Sequence, residues 1–92
     1  MQTVRLHGRL ICRDPQEAAI VAAHLPQHIE LTRAEPGCIC FAVDATEDPR
    51  VWSVDEEFEN AASFRAHQER VRDSDWGRAT AAIERDYTVD GG

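Results

Sequence analysis

Along residues 3–12 apolar and other residues alternate, so that Val4, Leu6, Gly8, Leu10 and Cys12 share one side and Arg5, His7, Arg9 and Ile11 the other. This is the period of two of a β-strand with two useful faces. The pattern then changes. Asp14-Pro15-Gln16-Glu17 supplies a helix N-cap, a proline at the first helical position and a glutamate at the third. The helix is predicted to run to about residue 33 with Ala18, Val21, Leu25, Ile29 and Thr32 as its buried stripe. Pro26 lies inside it, removes one backbone donor, and predicts a bend near Ala22.

Glu35-Pro36-Gly37 breaks the helix, and Cys38-Ile39-Cys40-Phe41-Ala42-Val43-Asp44 reads as a second strand. After a polar loop over residues 45–50, residues 51–58 alternate again with Trp52, Val54, Glu56 and Phe58 on one face. Asn60 caps a second helix whose stripe is Phe64, His67 and Val71, so this helix carries a histidine inside its apolar face. Asp75-Trp76-Gly77 opens a short extra helix to about residue 82, and residues 83–89 form a last strand with Ile83, Tyr87 and Val89 as packing positions. Residues 90–92 read as a loose end. The order strand, helix, strand, strand, helix, strand is that of an α+β, ferredoxin-like βαββαβ unit with an antiparallel sheet. Topology alone names no function, because this fold hosts many.

The 92 residues predict one domain over 1–92, small enough to gain stability by self-association. Helices on one side of its sheet would leave the other side uncovered, which predicts a homodimer. No apolar run approaches the roughly 20 residues of a membrane-spanning helix, and the first residues lack a signal-peptide core, so a cytoplasmic protein with no membrane partner is expected. Ten basic against 17 acidic residues give a formal charge of −7, which repels phosphate backbones and argues against nucleic acid. All ten basic residues are arginine, so Schiff-base chemistry and a P-loop lysine are excluded. The three cysteines, Cys12, Cys38 and Cys40, are an odd number with two of them only two apart, which favours free thiols. With neither a phosphate-binding glycine motif nor a haem-attachment motif, no metal, flavin or haem cofactor is expected.

Glu35-Pro36-Gly37-Cys38, the strand end Glu56-Glu57-Phe58, and Ala62-Ser63-Phe64-Arg65-Ala66-His67 stand in the order and spacing that resembles the antibiotic biosynthesis monooxygenase family, including its quinol monooxygenase-like members. The resemblance covers nearly the whole chain. It implies a dimeric α+β barrel in which two sheets pack face to face and each subunit keeps a pocket between sheet and helices. It also implies a small aromatic substrate, a quinol or polycyclic phenol, oxidised by dioxygen without metal or flavin, the deprotonated substrate itself supplying the electrons. Relatives with no known activity leave a second reading open, a non-catalytic dimeric small-molecule-binding or accessory protein of the same fold. Such chemistry needs a site that excludes water, holds an electron-rich ring, removes a proton and stabilises the anion.

His67 is the candidate base, since an imidazole on an apolar stripe accepts a phenolic proton near neutral pH and the position matches the family's helix-two histidine. The bland alternative is a core histidine that donates one hydrogen bond and packs. Trp76, Tyr87, Asn60 and Trp52 are candidate substrate-binding residues, with Trp76 and Tyr87 favoured because each carries a polar atom that needs a partner; Phe41 and Phe58 are assigned to packing. His24 and His28 stand i, i+4, a metal-compatible spacing, but Pro26 lies between them and a third ligand, such as Cys38 or Glu35, would have to come from elsewhere; a pocket-rim or solvent role is expected. Arg5, His7 and Arg9 read as a solvated face, an anion-stabilising group or a dimer ion-pair surface. Glu35 reads as fixing the helix–strand turn, and Glu56 as pairing an arginine across the dimer.

Departures from the family pattern narrow the expectation. Haem-degrading relatives carry an Asn before the Arg-Leu pair of the first strand and a Trp ahead of the helix-two histidine; here the first position is Gly8, and no Trp lies between Trp52 and His67. Haem degradation is disfavoured. The phenol oxygenases use an Asn and Trp pair around the start of helix two, of which only Asn60 has a counterpart.

Overall fold

The computed structural model describes residues 2–91. Its elements are β1 (Val4–Ile11), α1 (Pro15–Arg33), β2 (Cys38–Ala45), β3 (Val51–Phe58), α2 (Ala61–Arg72), α3 (Asp75–Ala79) and β4 (Glu84–Gly91). The four strands form one sheet in the order β2-β3-β1-β4 with every pair antiparallel. This is the ferredoxin-like arrangement that the order of patterns predicts.

The two-faced β1 organises the molecule. It lies between β3 and β4, and Val4, Leu6, Leu10 and the following Cys12 are all buried under the helices. Arg5, His7 and Arg9 point to the open face, where they meet Asp55 at 3.2 Å, Asp90 at 3.2 Å and Asp86 at 3.4 Å. The carboxylates come from the flanking strands: Asp86 stands directly opposite Arg9, whereas Asp55 and Asp90 reach Arg5 and His7 diagonally, each being opposite the other's partner. Gly8 admits no side chain, since a Cβ would stand 2.1 Å from the Asp86 carbonyl oxygen.

In α1 Asp14 accepts the Glu17 backbone N–H at 2.9 Å, and Glu17 reaches back to accept the Arg13 N–H at 2.8 Å, so both ends of the first turn are closed. The helix continues through Pro26, which is exposed, as is Ala22, whose carbonyl loses its partner to that proline. The buried stripe differs from the expected one. Val21, Leu25, His28 and Thr32 are buried, whereas Ala18 and Ile29 are only half-buried. The steps of four, three and four follow the helical period, and they carry His28 inward rather than to the solvent.

β2 contains a bulge. Cys38 pairs with Phe58 and Cys40 with Glu57, so Ile39 is the extra residue, is half exposed, and shifts Phe41 and Val43 onto the covered face. α3 is shorter than expected, ending at Ala79, where Thr80 Oγ1 donates to the Trp76 carbonyl at 2.7 Å. Gly77 lets this turn lie against the end of α2, since a Cβ there would stand 1.9 Å from the Val71 carbonyl oxygen, and that approach drives Trp76 into the core. Val89 corrects another expectation. It stands opposite Leu6 in register but is half exposed, on the edge strand β4.

Candidate active site

Between the covered face of the sheet and the helices lies a cavity of about 170 Å³. Leu6, Val43, Val54 and Phe41 give it an apolar floor, and His28, Glu56, His67, Trp76, Arg85 and Tyr87 bring polar groups to it. Each polar residue is there for a local reason. His67 sits one turn after Phe64 on the inward side of α2; Glu56 falls on the covered face by strand alternation, between Val54 and Phe58.

His67 is the most constrained of these side chains. Its Nδ1 lies 2.9 Å from one Glu35 carboxylate oxygen and 3.2 Å from the other, so Nδ1 carries the proton and donates it. Glu35 is held in turn by the Arg70 guanidinium, which also donates to Thr32 Oγ1 at 3.0 Å. With Nδ1 committed, Nε2 presents its lone pair, and it faces Glu56 Oε1 at 3.6 Å. The ring packs on Phe58 with centroids 4.8 Å apart. Burial pushes His67 below the ordinary imidazole value, while the Glu35 carboxylate pulls in the opposite direction. The neutral base is therefore the resting form near neutral pH.

Glu56 is buried, and its Oε1 has no hydrogen-bond partner among the described residues. Burial first, and the neighbouring Glu35 second, push its carboxyl up to about 7. His28 lies in the α1 wall, stacked on Trp76 with centroids 4.5 Å apart and planes within 2°, and edge-on to Phe41 at 5.1 Å. Burial, then the charges of His67, Arg70 and Arg85, push it down to about 3, so it is a neutral ring. Tyr87 is raised to about 12 by burial, and its hydroxyl keeps its proton as a donor.

His67, Trp76 and Tyr87, all expected from sequence, therefore meet at one cavity. Asn60 and Trp52 are not among the residues lining it. Asn60 spends its side-chain oxygen on the Ser63 N–H at 2.8 Å as the cap of α2, and Trp52 stands at the far end of β3, opposite Leu10. Two expectations need correction. Glu56, expected to pair an arginine across a dimer, is buried on the covered face beside His67, and Glu35 binds His67 and Arg70 rather than merely shaping a turn. His28 lines the cavity although only a rim or solvent role is expected of it. The signals were present, since both inward positions follow from the strand and helix periods. Among the described residues no three His, Cys, Asp or Glu side chains are placed to hold a metal ion, and no helix is long and apolar enough to cross a membrane.

Residues 4–76 match the antibiotic biosynthesis monooxygenase family. The chain belongs to that family. No curated protein matches it. Among solved structures it is similar to a Nitrosomonas europaea protein provisionally named an antibiotic biosynthesis monooxygenase, at 20% identity over 99% of this chain and 89% of that one, with a TM-score of 0.78. A Deinococcus radiodurans protein with the same provisional name is 21% identical over 97% and 89%, TM-score 0.69. A Bacteroides thetaiotaomicron protein of unknown function, named a possible oxidoreductase, is 15% identical over 99% and 96%, TM-score 0.67. At these identities the likeness concerns the fold.

Proposed function

We propose that this protein is a cofactor-independent monooxygenase that oxidises a single-ring quinol or phenol with dioxygen, His67 acting as the base. The observation that carries the reading is the orientation of His67: Glu35 fixes the proton on Nδ1, which leaves Nε2 as an unprotonated acceptor at the cavity. Membership of the monooxygenase family supports it. The cavity's 170 Å³ favours one ring, since a cavity of roughly 150 Å³ encloses a benzene. A polycyclic phenol would extend through the mouth. Trp76 and Tyr87 bound the ring, Tyr87 offering a hydroxyl donor.

In this reading His67 Nε2 takes the phenolic proton, and the electron-rich anion reduces dioxygen. One oxygen atom enters the ring, the other leaves as water, and all four electrons come from the substrate, so hydroquinone and dioxygen yield hydroxyquinone and water. Consumption of dioxygen with a panel of single-ring hydroquinones tests it; binding without consumption would favour the accessory-protein reading. The assembly we propose is a homodimer formed through the open sheet face, and light scattering should report about twice the 10.3 kDa chain mass.

A further inference from the structure

We infer that Glu56 is a second catalytic residue of this cavity, its buried carboxylic acid donating a hydrogen bond to the same substrate oxygen whose proton His67 Nε2 removes. The inference rests on the reading of the cavity as a phenol site. Glu56 comes from β3 and His67 from α2, so the two groups approach one point from the two layers of the fold. Their facing atoms are 3.6 Å apart, too far for a hydrogen bond with each other. A single oxygen atom placed at hydrogen-bonding distance from both completes a triangle over that gap. Glu56 Oε1 lacks any partner among the described residues although the side chain is more than nine-tenths buried. A buried polar atom left unsatisfied costs free energy, and a ligand oxygen at this point would satisfy it.

The step balances without an external reagent. The phenolic O–H bond breaks, an N–H bond forms at His67 Nε2, and the electron pair stays on the oxygen. Glu56 keeps its own proton bonded and shares it with the new oxyanion, as a neutral donor held in place by the sheet. A protonated carboxyl in an apolar site is a known means of stabilising an oxyanion. Burial and the Glu35 carboxylate, from the turn after α1, favour the neutral form of Glu56. The other groups at the cavity are His67 from α2, neutral His28 from α1, and Tyr87 and Arg85 from β4, of which the Arg85 guanidinium is a cation that favours the carboxylate. Above about pH 7 Glu56 ionises, loses its donor and repels the phenolate.

The test uses 4-nitrophenol, a single ring whose absorbance reports its ionisation, with the full chain. Wild type should bind it as the phenolate, the bound ligand ionising at a pH lower than the free phenol by one unit or more, a tenfold or larger preference for the anion. Glu56→Leu, with folding checked by its melting curve, should lose that preference and about tenfold or more in affinity. Glu56→Gln keeps a donor without an ionising proton, so it should retain phenolate binding and keep only the shallower alkaline fall in affinity that the ligand's own ionisation imposes. Wild type that holds the phenol neutral or does not bind it overturns the inference, as does a Leu variant that ionises it like wild type or a Gln variant whose alkaline limb is as steep as that of wild type. Phenolate binding that depends on Glu56, with no dioxygen consumed by any quinol, would instead leave Glu56 in place and remove the oxygenase reading.

Discussion

On the open face of the sheet Arg5 meets Asp55 at 3.2 Å with the two side chains 57% and 48% exposed; on the covered face His67 meets Glu35 at 2.9 Å with 3% and 14% exposed. The same kinds of group, at similar distances and on the same fold, thus stand in two dielectric settings. In water the attraction and the desolvation cost are both small, and exposed pairs contribute about 0–1 kcal/mol. Under the helices, burial dominates. It moves Glu56 up to about 7 and His28 down to about 3, and sets the neutral His67 base beside an acid that keeps its proton below about pH 7. Residue type alone does not make a side chain reactive here; the face of the strand and the helices over it do.

The largest effect should come from the covered face. His67→Ala removes the base that Glu35 orients toward the cavity, and quinol turnover should fall by about 10²-fold with the chain still folded. The alternative role, a packing histidine, gives a different result: a lowered melting temperature through a lost hydrogen bond and a new void, with activity in proportion to folded protein. Steady-state kinetics alongside thermal melting separates the two. Glu56→Leu should act oppositely on stability. Exchanging an unsatisfied buried acid for an apolar side chain should raise the melting temperature while weakening ligand binding, because the site holds its polar group at a cost of about 1–3 kcal/mol.

A smaller effect follows from pH. His28 has a folded value of about 3 against an ordinary 6.5, so the folded state resists the proton that the unfolded chain accepts. The stability it contributes is present above pH 6.5 and is lost as the pH falls toward 3. Glu56 has the opposite sign. Its value rises from 4.5 to about 7, so its contribution is full below pH 4.5 and is lost as the pH rises to 7. His28→Phe, which keeps a flat ring against Trp76, should flatten the acid side of a melting-temperature profile, and Glu56→Gln should flatten the 4.5–7 interval. Profiles that respond in the reverse order would overturn this assignment.

The covered face was legible in the sequence as far as periodicity reaches. Alternation in β1 and β3 identified which side chains turn inward, and the spacing of Phe64, His67 and Val71 placed the histidine under the helix. Periodicity does not by itself choose between neighbouring candidates or register a bulge. Ile39 faces outward because β2 bulges, an insertion that simple alternation does not encode. His28 was displaced from the expected α1 stripe by Ile29, whose greater hydrophobicity made it the more obvious inward residue. Alternation in β3 puts Glu56 on the inner face with Val54 and Phe58, but alternation does not say that His67 stands beside it. The 3.6 Å gap between Glu56 and His67 depends on how α2 sits over β3, a tertiary fact with no local signature.

The smallest effect belongs to the open face. Arg9 meets Asp86 at 3.4 Å with 58% and 63% of the two side chains exposed, so an Arg9→Ala, Asp86→Ala double-mutant cycle should give a coupling below about 1 kcal/mol, decreasing as salt is raised. That figure holds for a face in contact with water. If two copies pack their sheets together, the pair loses solvent, its coupling grows and becomes less sensitive to salt, and Arg9→Ala shifts the monomer–dimer equilibrium measured by sedimentation. A weak, salt-sensitive coupling in a protein that also sediments as a dimer would place the interface elsewhere than the centre of this face.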